Sequence, residues 1–150
     1  MDYSIIEEQE FKYVEVGQGD VIMLLHGLFG ALSNFGDLIE HFRSSYKVVI
    51  PILPLYDLPI DETSVSGYVH YVERFTNFKE YKNIVVLGNS LGGHIALMYA
   101  LQNPDKIRAV VLTGSSGLFE SAMGDSYPKR GDYEYIKKKA ELTFYNPAHA

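Results

Sequence analysis

The pentapeptide Gly88-Asn89-Ser90-Leu91-Gly92 sets one hydroxyl between two glycines, each two residues away. It follows an apolar run, Ile84 to Leu87, and opens an apolar helical stretch closed by Pro104. Strand, tight turn, helix is the context that G-x-S-x-G requires for a serine nucleophile. The turn strains the backbone at the serine and brings the positions two residues either side close to the strand and the helix, where glycine fits. It lifts the serine oxygen clear of the sheet. It also puts the Leu91 amide at the positive end of a helix, where an oxyanion can be held. A second loop, His26-Gly27-Leu28-Phe29-Gly30, ends the apolar run Val21 to Leu25 and can present another amide near the serine. Two donors are what a tetrahedral oxyanion needs. The implied chemistry is acyl transfer through the serine oxygen. An idle serine on a glycine-rich turn and an ordinary strand-to-helix loop are the bland readings of these segments, and their pairing argues against both.

Several elements must carry these loops. Phe11 to Val16 alternates in the manner of a strand with one wetter face. Gly17-Gln18-Gly19-Asp20 reads as a turn. Val21 to Leu25, Tyr46 to Ile50, Ile84 to Leu87 and Ala109 to Leu112 are short, continuous apolar runs. Strands buried on both faces of a helix-covered parallel sheet look like this. Ser33 can cap a helix carrying Phe35, Leu38, Ile39 and Phe42. Tyr68, Val72 and Phe75 mark an apolar stripe on a second helix, and Leu91 to Asn103 forms a third. The alternation predicts an α/β fold with a doubly wound, mostly parallel sheet and right-handed crossovers. Gly17-Gln18-Gly19 precedes a strand and not a helix, so it lacks the phosphate-cradling geometry of a nucleotide binder.

Composition narrows the function classes. The chain has 150 residues, a formal net charge of −6 and 47% hydrophobic residues. That is ordinary globular make-up, and the acidic balance argues against nucleic acid as a partner. Cysteine is absent, which excludes disulfides and thiolate metal sites. No run approaches a bilayer span, and Met1-Asp2-Tyr3-Ser4 lacks the basic start and apolar stretch of a secretory signal. The expectation is a cytoplasmic protein with no metal and no organic cofactor.

The segments Leu24 to Gly30 (LLHGLFG), Leu32 to Phe35 (LSNF), Val48 to Pro51 (VVIP), Val86 to Leu97 (VLGNSLGGHIAL) and Asn103 to Ile107 (NPDKI) with the following AVVLTG resemble the α/β-hydrolase superfamily. The likeness runs from about Phe11 to Gly117 and is greatest to small esterase-like members, including carboxylesterases and meta-cleavage-product hydrolases. It implies that residues 1–117 are the N-terminal part of the hydrolase core and that 118–150 begin the lid segment. It implies Ser90 as nucleophile, with the amides of Leu28 and Leu91 as oxyanion donors and Phe29 as the fallback if the loop register differs. Gly88, Gly92 and Gly27 would support the turn and loop, and His26 would anchor the loop without serving as base.

Serine needs a base, and the base an orienting acid; in this superfamily the chain order is Ser, Asp or Glu, His. After Ser90 the sequence holds one predicted strand, a Gly- and Ser-rich segment from Gly114 to Gly131, and one charged helix after Asp132 whose lysines 137 to 139 form a solvated face. The resemblance therefore stops before the strands that carry acid and base. His94 lies one turn into the helix and should pack beside it. His41 and His70 fall on solvated helix faces, His149 has no strand behind it, and Glu120 and Asp125 read as solvated loop carboxylates. Ala109 to Leu112 is apolar on both faces yet would sit at a sheet edge, which natural proteins shield. The expected partners are thus a small ester or acyl substrate and a C-terminal half, or second chain, that completes the sheet.

Three functions remain open at this level. The first is a serine hydrolase cleaving a carboxylic ester or related acyl bond. The second is a C–C bond hydrolase of dienoic acids on the same fold. The third is a non-catalytic module of this fold, which has no need of a strained serine.

Overall fold

The computed structural model describes residues 3–28, 32–57, 59, 62–118, 133, 134 and 137. Six strands form one sheet: β1 (Ile6–Glu8), β2 (Phe11–Val16), β3 (Val21–Leu25), β4 (Lys47–Pro51), β5 (Ile84–Asn89) and β6 (Ile107–Thr113). Three α-helices accompany them: α1 (Gly36–Phe42), α2 (Val65–Phe78) and α3 (Leu91–Gln102). Strand order is β1-β2-β4-β3-β5-β6. The pairs β3–β4, β3–β5 and β5–β6 are parallel, whereas β1–β2 and β2–β4 are antiparallel. The chain divides into two compact units, Met1–Leu118 and Phe119–Ala150. In the second, Tyr133, Glu134 and Lys137 are helical and exposed; the expected lid and the remainder of the charged helix lie outside the described residues.

The apolar runs of β3 and β4 are explained by burial on both sheet faces, whereas Ala109 to Val111 of β6, expected to be buried in the same way, are exposed. In β3, Val21, Met23 and Leu25 pack into one cluster with Tyr68, Val72 and Phe75 of α2 and Ile95, Ala96 and Tyr99 of α3. The alternate residues Ile22 and Leu24 pack into the other, with Phe35 and Ile39. Side chains alternate along a strand, so a strand covered on both sides has no polar face to spare. Each Leu or Ile fully buried this way contributes about 1.5–3 kcal/mol. The buried hydroxyls of Thr76 on α2 and Tyr99 on α3 meet at 2.8 Å, and Thr76 also donates to the Glu73 carbonyl at 3.0 Å. Thr76 has one proton, so Tyr99 is the donor to it.

The expected strands are present: β2 and β3 have the expected bounds, and those of β4, β5 and β6 shift by one or two residues. β1 escapes sequence reading: three residues, Ile-Glu-Glu, give no apolar run. Ser33 does not cap α1. It lies within a 3-10 turn over Leu32–Phe35, and Phe35 is the N-cap, with no side-chain capping bond. Ser64 caps α2 instead, its hydroxyl accepting from the Gly67 amide at 3.1 Å. Gly17 closes the β2–β3 turn at φ +82°, where an added Cβ would lie 2.2 Å from the Tyr46 carbonyl oxygen. Only glycine fits.

The two sheet borders differ. At the β1–β2 side, Lys79 donates to the Tyr13 hydroxyl at 2.7 Å and lies 3.4 Å from both Glu8 and Glu15. Tyr13 donates to Glu8 and Tyr81 to Glu15, while Lys47 pairs with Glu15 at 3.2 Å. Among the described residues β6 has no neighbour on its far side. Val110 and Val111 there are 36% and 42% exposed. No helix among the described residues is long and apolar enough to cross a membrane.

Candidate active site

Ser90 is the single residue between the end of β5 and the start of α3, with φ +53° and ψ −118°. A non-glycine residue held there stores about 1–3 kcal/mol of strain and persists only when its surroundings over-determine it. They do so here. The Ser90 amide donates to the Thr113 carbonyl at 3.0 Å, and its own carbonyl accepts from Gly93 at 3.0 Å and from His94 and Ser116 at 3.3 Å. The side chain is left over: it is exposed, makes no capping bond and bonds to no other described residue.

The flanking glycines are required by contact. A Cβ at Gly88 would lie 2.3 Å from the Gly92 carbonyl oxygen, and one at Gly92 would lie 2.1 Å from that of Leu25. The turn is therefore clamped against α3 on one side and against the end of β3 on the other. Gly27 comes next to the serine: its added Cβ would sit 3.2 Å from Ser90 Cβ and 3.5 Å from Asn89 Oδ1. The sequence-expected residues Gly27, Gly88, Ser90, Leu91 and Gly92 are thus brought together at the C-terminal ends of β3 and β5.

Leu91 opens a twelve-residue helix with no acidic residue in its first turn, so nothing there offsets the positive end of the dipole. Its amide precedes the first possible intrahelical acceptor. Neither this N–H nor that of Leu28 bonds to another described residue. Leu28 is 44% exposed, and its carbonyl accepts from the Tyr56 hydroxyl at 3.4 Å. Phe29, the fallback donor, lies outside the described residues.

His26 is buried, with both ring nitrogens engaged. Nε2 accepts from the Leu53 amide at 3.1 Å, and Nδ1 lies 2.9 Å from the Gly27 carbonyl oxygen. An acceptor at Nε2 and a donor at Nδ1 fix the neutral Nδ1–H tautomer. The imidazole therefore ties the loop after β3 to the segment after β4. His94 is half-buried, and an added Cβ at Gly117 would lie 2.5 Å from its ring; it packs beneath the loop that follows β6. His41 is exposed on α1 and stands edge-on to Phe42, while His70 is exposed on α2 and pairs with Glu73 at 3.5 Å. No described histidine ring is hydrogen-bonded to the Ser90 hydroxyl. His149, Glu120 and Asp125 lie outside the described residues. Among the described residues no group of three His, Asp or Glu could hold a metal ion.

Three participants escaped sequence reading. Asn89 Nδ2 donates to the Thr113 carbonyl at 3.1 Å and lies 3.2 Å from Thr113 Oγ1. Leu53 offers its amide to His26, and Tyr56 reaches Leu28. Asn89 occupies a variable position of the pentapeptide, and the other partners are 24 to 28 residues from their targets in the chain, so no local pattern signals them.

Known proteins resemble this chain in sequence and fold. The family model described as alpha/beta hydrolase fold matches residues 20–142. A crystal structure of an alpha/beta hydrolase enzyme from a lagoon-sediment metagenome (Mar Chica, Morocco) superposes with a TM-score of 0.74 at 42% identity, over 93% of this chain and 61% of that one. The 2-hydroxy-6-oxo-6-phenylhexa-2,4-dienoate hydrolase of Burkholderia cepacia is 30% identical over 112 residues, 69% of this chain and 39% of the relative. The 1-acylglycerol-3-phosphate O-acyltransferase of Arabidopsis thaliana is 30% identical over 113 residues, 67% of this chain and 26% of the relative. The chain spans well under half the length of these two curated relatives. With the matching family model covering most of its length, and a strained serine turn between strand and helix on a mostly parallel sheet, the chain belongs to the alpha/beta hydrolase fold family.

Proposed function

We propose that the chain carries the nucleophile and oxyanion half of a serine hydrolase acting on a carboxylic ester or related acyl bond. The observation that carries this reading is the strained, braced Ser90 backbone bearing an exposed hydroxyl, with no bond from that hydroxyl or from the Leu28 and Leu91 amides to another described residue. In this reading Ser90 Oγ attacks the acyl carbon, and its proton passes to a histidine. The amides of Leu28 and Leu91 hold the oxyanion. The bond to the leaving alkoxide then breaks as the histidine returns the proton to that oxygen. Water repeats the sequence on the acyl-serine and releases the acid and Ser90. The histidine and its acid come from polypeptide outside residues 3–118, which also pairs with β6.

The test joins this chain to the part of the sediment hydrolase that it does not cover. A chimera with a cooperative melt is treated with a fluorophosphonate and with a p-nitrophenyl ester. Labelling at Ser90 and ester turnover, both abolished by Ser90→Ala, are expected. A folded chimera left unlabelled at residue 90 refutes the reading and favours a non-catalytic module. The 150-residue chain alone is expected to turn over the ester poorly, because no described histidine ring is bonded to the Ser90 hydroxyl.

A second reading is favoured by the likeness to the Burkholderia dienoate hydrolase. The same serine site would cleave a C–C bond beside a ketone in a dienoic acid. Faster turnover of a 2-hydroxy-6-oxo-dienoate than of the p-nitrophenyl ester by the chimera selects it.

A further inference from the structure

We infer that Asn89 is a positioning residue for Ser90, clasping the nucleophile turn to the end of β6; this role presupposes the reading of Ser90 as the nucleophile. Thr113 is the register partner of Asn89 across the β5–β6 pair. Its carbonyl oxygen accepts two donors, the Ser90 amide at 3.0 Å and Asn89 Nδ2 at 3.1 Å. Its hydroxyl lies 3.2 Å from the same Asn89 nitrogen and 3.4 Å from the Gly88 carbonyl oxygen. Both lone pairs of the Thr113 carbonyl are thus spent on the two residues that form the turn.

The other end of the Asn89 amide faces the oxyanion loop. Oδ1 is 3.5 Å from the place a Gly27 Cβ would occupy, and the Asn89 carbonyl oxygen is 3.4 Å from it. One side chain therefore spans from the end of β6 to the loop that carries Leu28. Position 89 makes this span because β5 continues through it as a strand residue, with its side chain pointing along the β6 border. Without the Nδ2 bond, the turn keeps a single tie to Thr113, the Ser90 amide bond, beside the bonds that the Ser90 carbonyl accepts from Gly93, His94 and Ser116. A strained residue relaxes when its surroundings no longer over-determine it. The relaxation rotates Ser90 and the Leu91 amide together, so the chemical step slows while apolar binding of a substrate or label does not.

Two variants and a control test this. Asn89→Ala removes the amide. Asn89→Asp keeps its size and Oδ1 but sets a carboxylate oxygen against the Thr113 carbonyl. Thr113→Val keeps the carbonyl and removes only the hydroxyl. The first readout needs no chemistry: amide hydrogen exchange in the 150-residue chain. Exchange at Ser90 is expected to rise about tenfold in both Asn89 variants, the loss of one hydrogen bond, with Val86 unchanged and Thr113→Val within about twofold of wild type. The second readout is fluorophosphonate labelling of the chimera, whose maximal rate is expected to fall about tenfold at constant half-saturation. Unchanged Ser90 exchange overturns the assignment, as does a rise shared equally by Val86, which marks general loosening. A labelling loss confined to half-saturation also overturns it. A wild-type chimera that takes no label defeats the serine-hydrolase reading alone, and hydrogen exchange still decides the role of Asn89.

Discussion

Replacing Gly92 with alanine separates contact from conformation at the Ser90 turn. The new Cβ would lie 2.1 Å from the Leu25 carbonyl oxygen, 2.5 Å from its carbon and 2.6 Å from the His26 carbonyl oxygen. A comfortable carbon–oxygen approach is about 3.4 Å, so the atoms must part by about 1 Å. All three obstacles are backbone at the end of β3, a central strand, so α3 must move and carry the Leu91 amide with it. Overpacking of this kind costs about 1–3 kcal/mol, which lowers the melting temperature by roughly 5–15 °C for a domain of this size. A 1 Å displacement at a reacting group costs about 100-fold in rate. The control is Gly114→Ala, at φ +52° with nothing within 4 Å of the added Cβ. It pays backbone strain alone, about 1 kcal/mol. Thermal melts of the chain and fluorophosphonate labelling of the chimera measure the two consequences. A Gly92→Ala protein that melts with wild type, or no lower than Gly114→Ala, refutes the clamp between α3 and β3.

Four further outcomes follow from contacts elsewhere. Thr76→Val strands the buried Tyr99 donor and should cost about 1–3 kcal/mol in a denaturant melt, whereas Thr76→Val with Tyr99→Phe costs less than the sum of the single changes; strict additivity refutes the pairing. Burial raises the Glu15 pKa, but bonds from Tyr81 and Lys47 and the charges of Lys47 and Lys79 outweigh it and hold it below the ordinary carboxylate value. Its stabilisation is therefore present above about pH 4.5 and lost as pH falls through the lowered value, so Glu15→Gln should flatten the acid limb of a stability profile. Burial and the bond to Glu15 push the Tyr81 hydroxyl up, so its share is present below pH 10.0 and lost at more alkaline pH, and Tyr81→Phe should flatten that limb; unchanged limbs in these variants refute the network's role. The chain alone is expected to associate through the apolar β6 border, and Val111→Lys should render it monomeric by light scattering; equal association in the variant places the contact elsewhere.

Local chemistry was legible in the sequence because it depends on neighbours in the chain. Val21 to Leu25 announces a strand covered on both sides, and glycines at 88 and 92 announce the close approaches later found there. Ser90 follows from the same stretch. Sheet order is not legible in this way: β4 inserts between β2 and β3, and only the crossover of α1 fixes that. β2 reads as one more strand, and nothing in FKYVEV says that it runs against its neighbours. The Ser33 expectation failed because two starts compete over four residues, and a 3-10 turn took the first. His26 as a loop anchor came from resemblance, whereas its partner, the Leu53 amide, becomes visible only when the segment after β4 folds back across 27 residues. The Asn89–Thr113 clasp and the Lys79 network join residues 24 and 66 apart, distances at which spacing carries no signal.

The contrast between the two margins of the sheet has a consequence for growth. One margin is sealed by a three-residue strand, two glutamates and a lysine that bridges back to the next layer, so an incoming chain meets charge and no free ladder worth pairing. Among the described residues the opposite margin offers seven residues of open ladder that include two valines, and it ends at the carbonyl that braces the Ser90 turn. A polypeptide extending the sheet along β6 would lie beside Thr113, whose carbonyl holds the Ser90 amide.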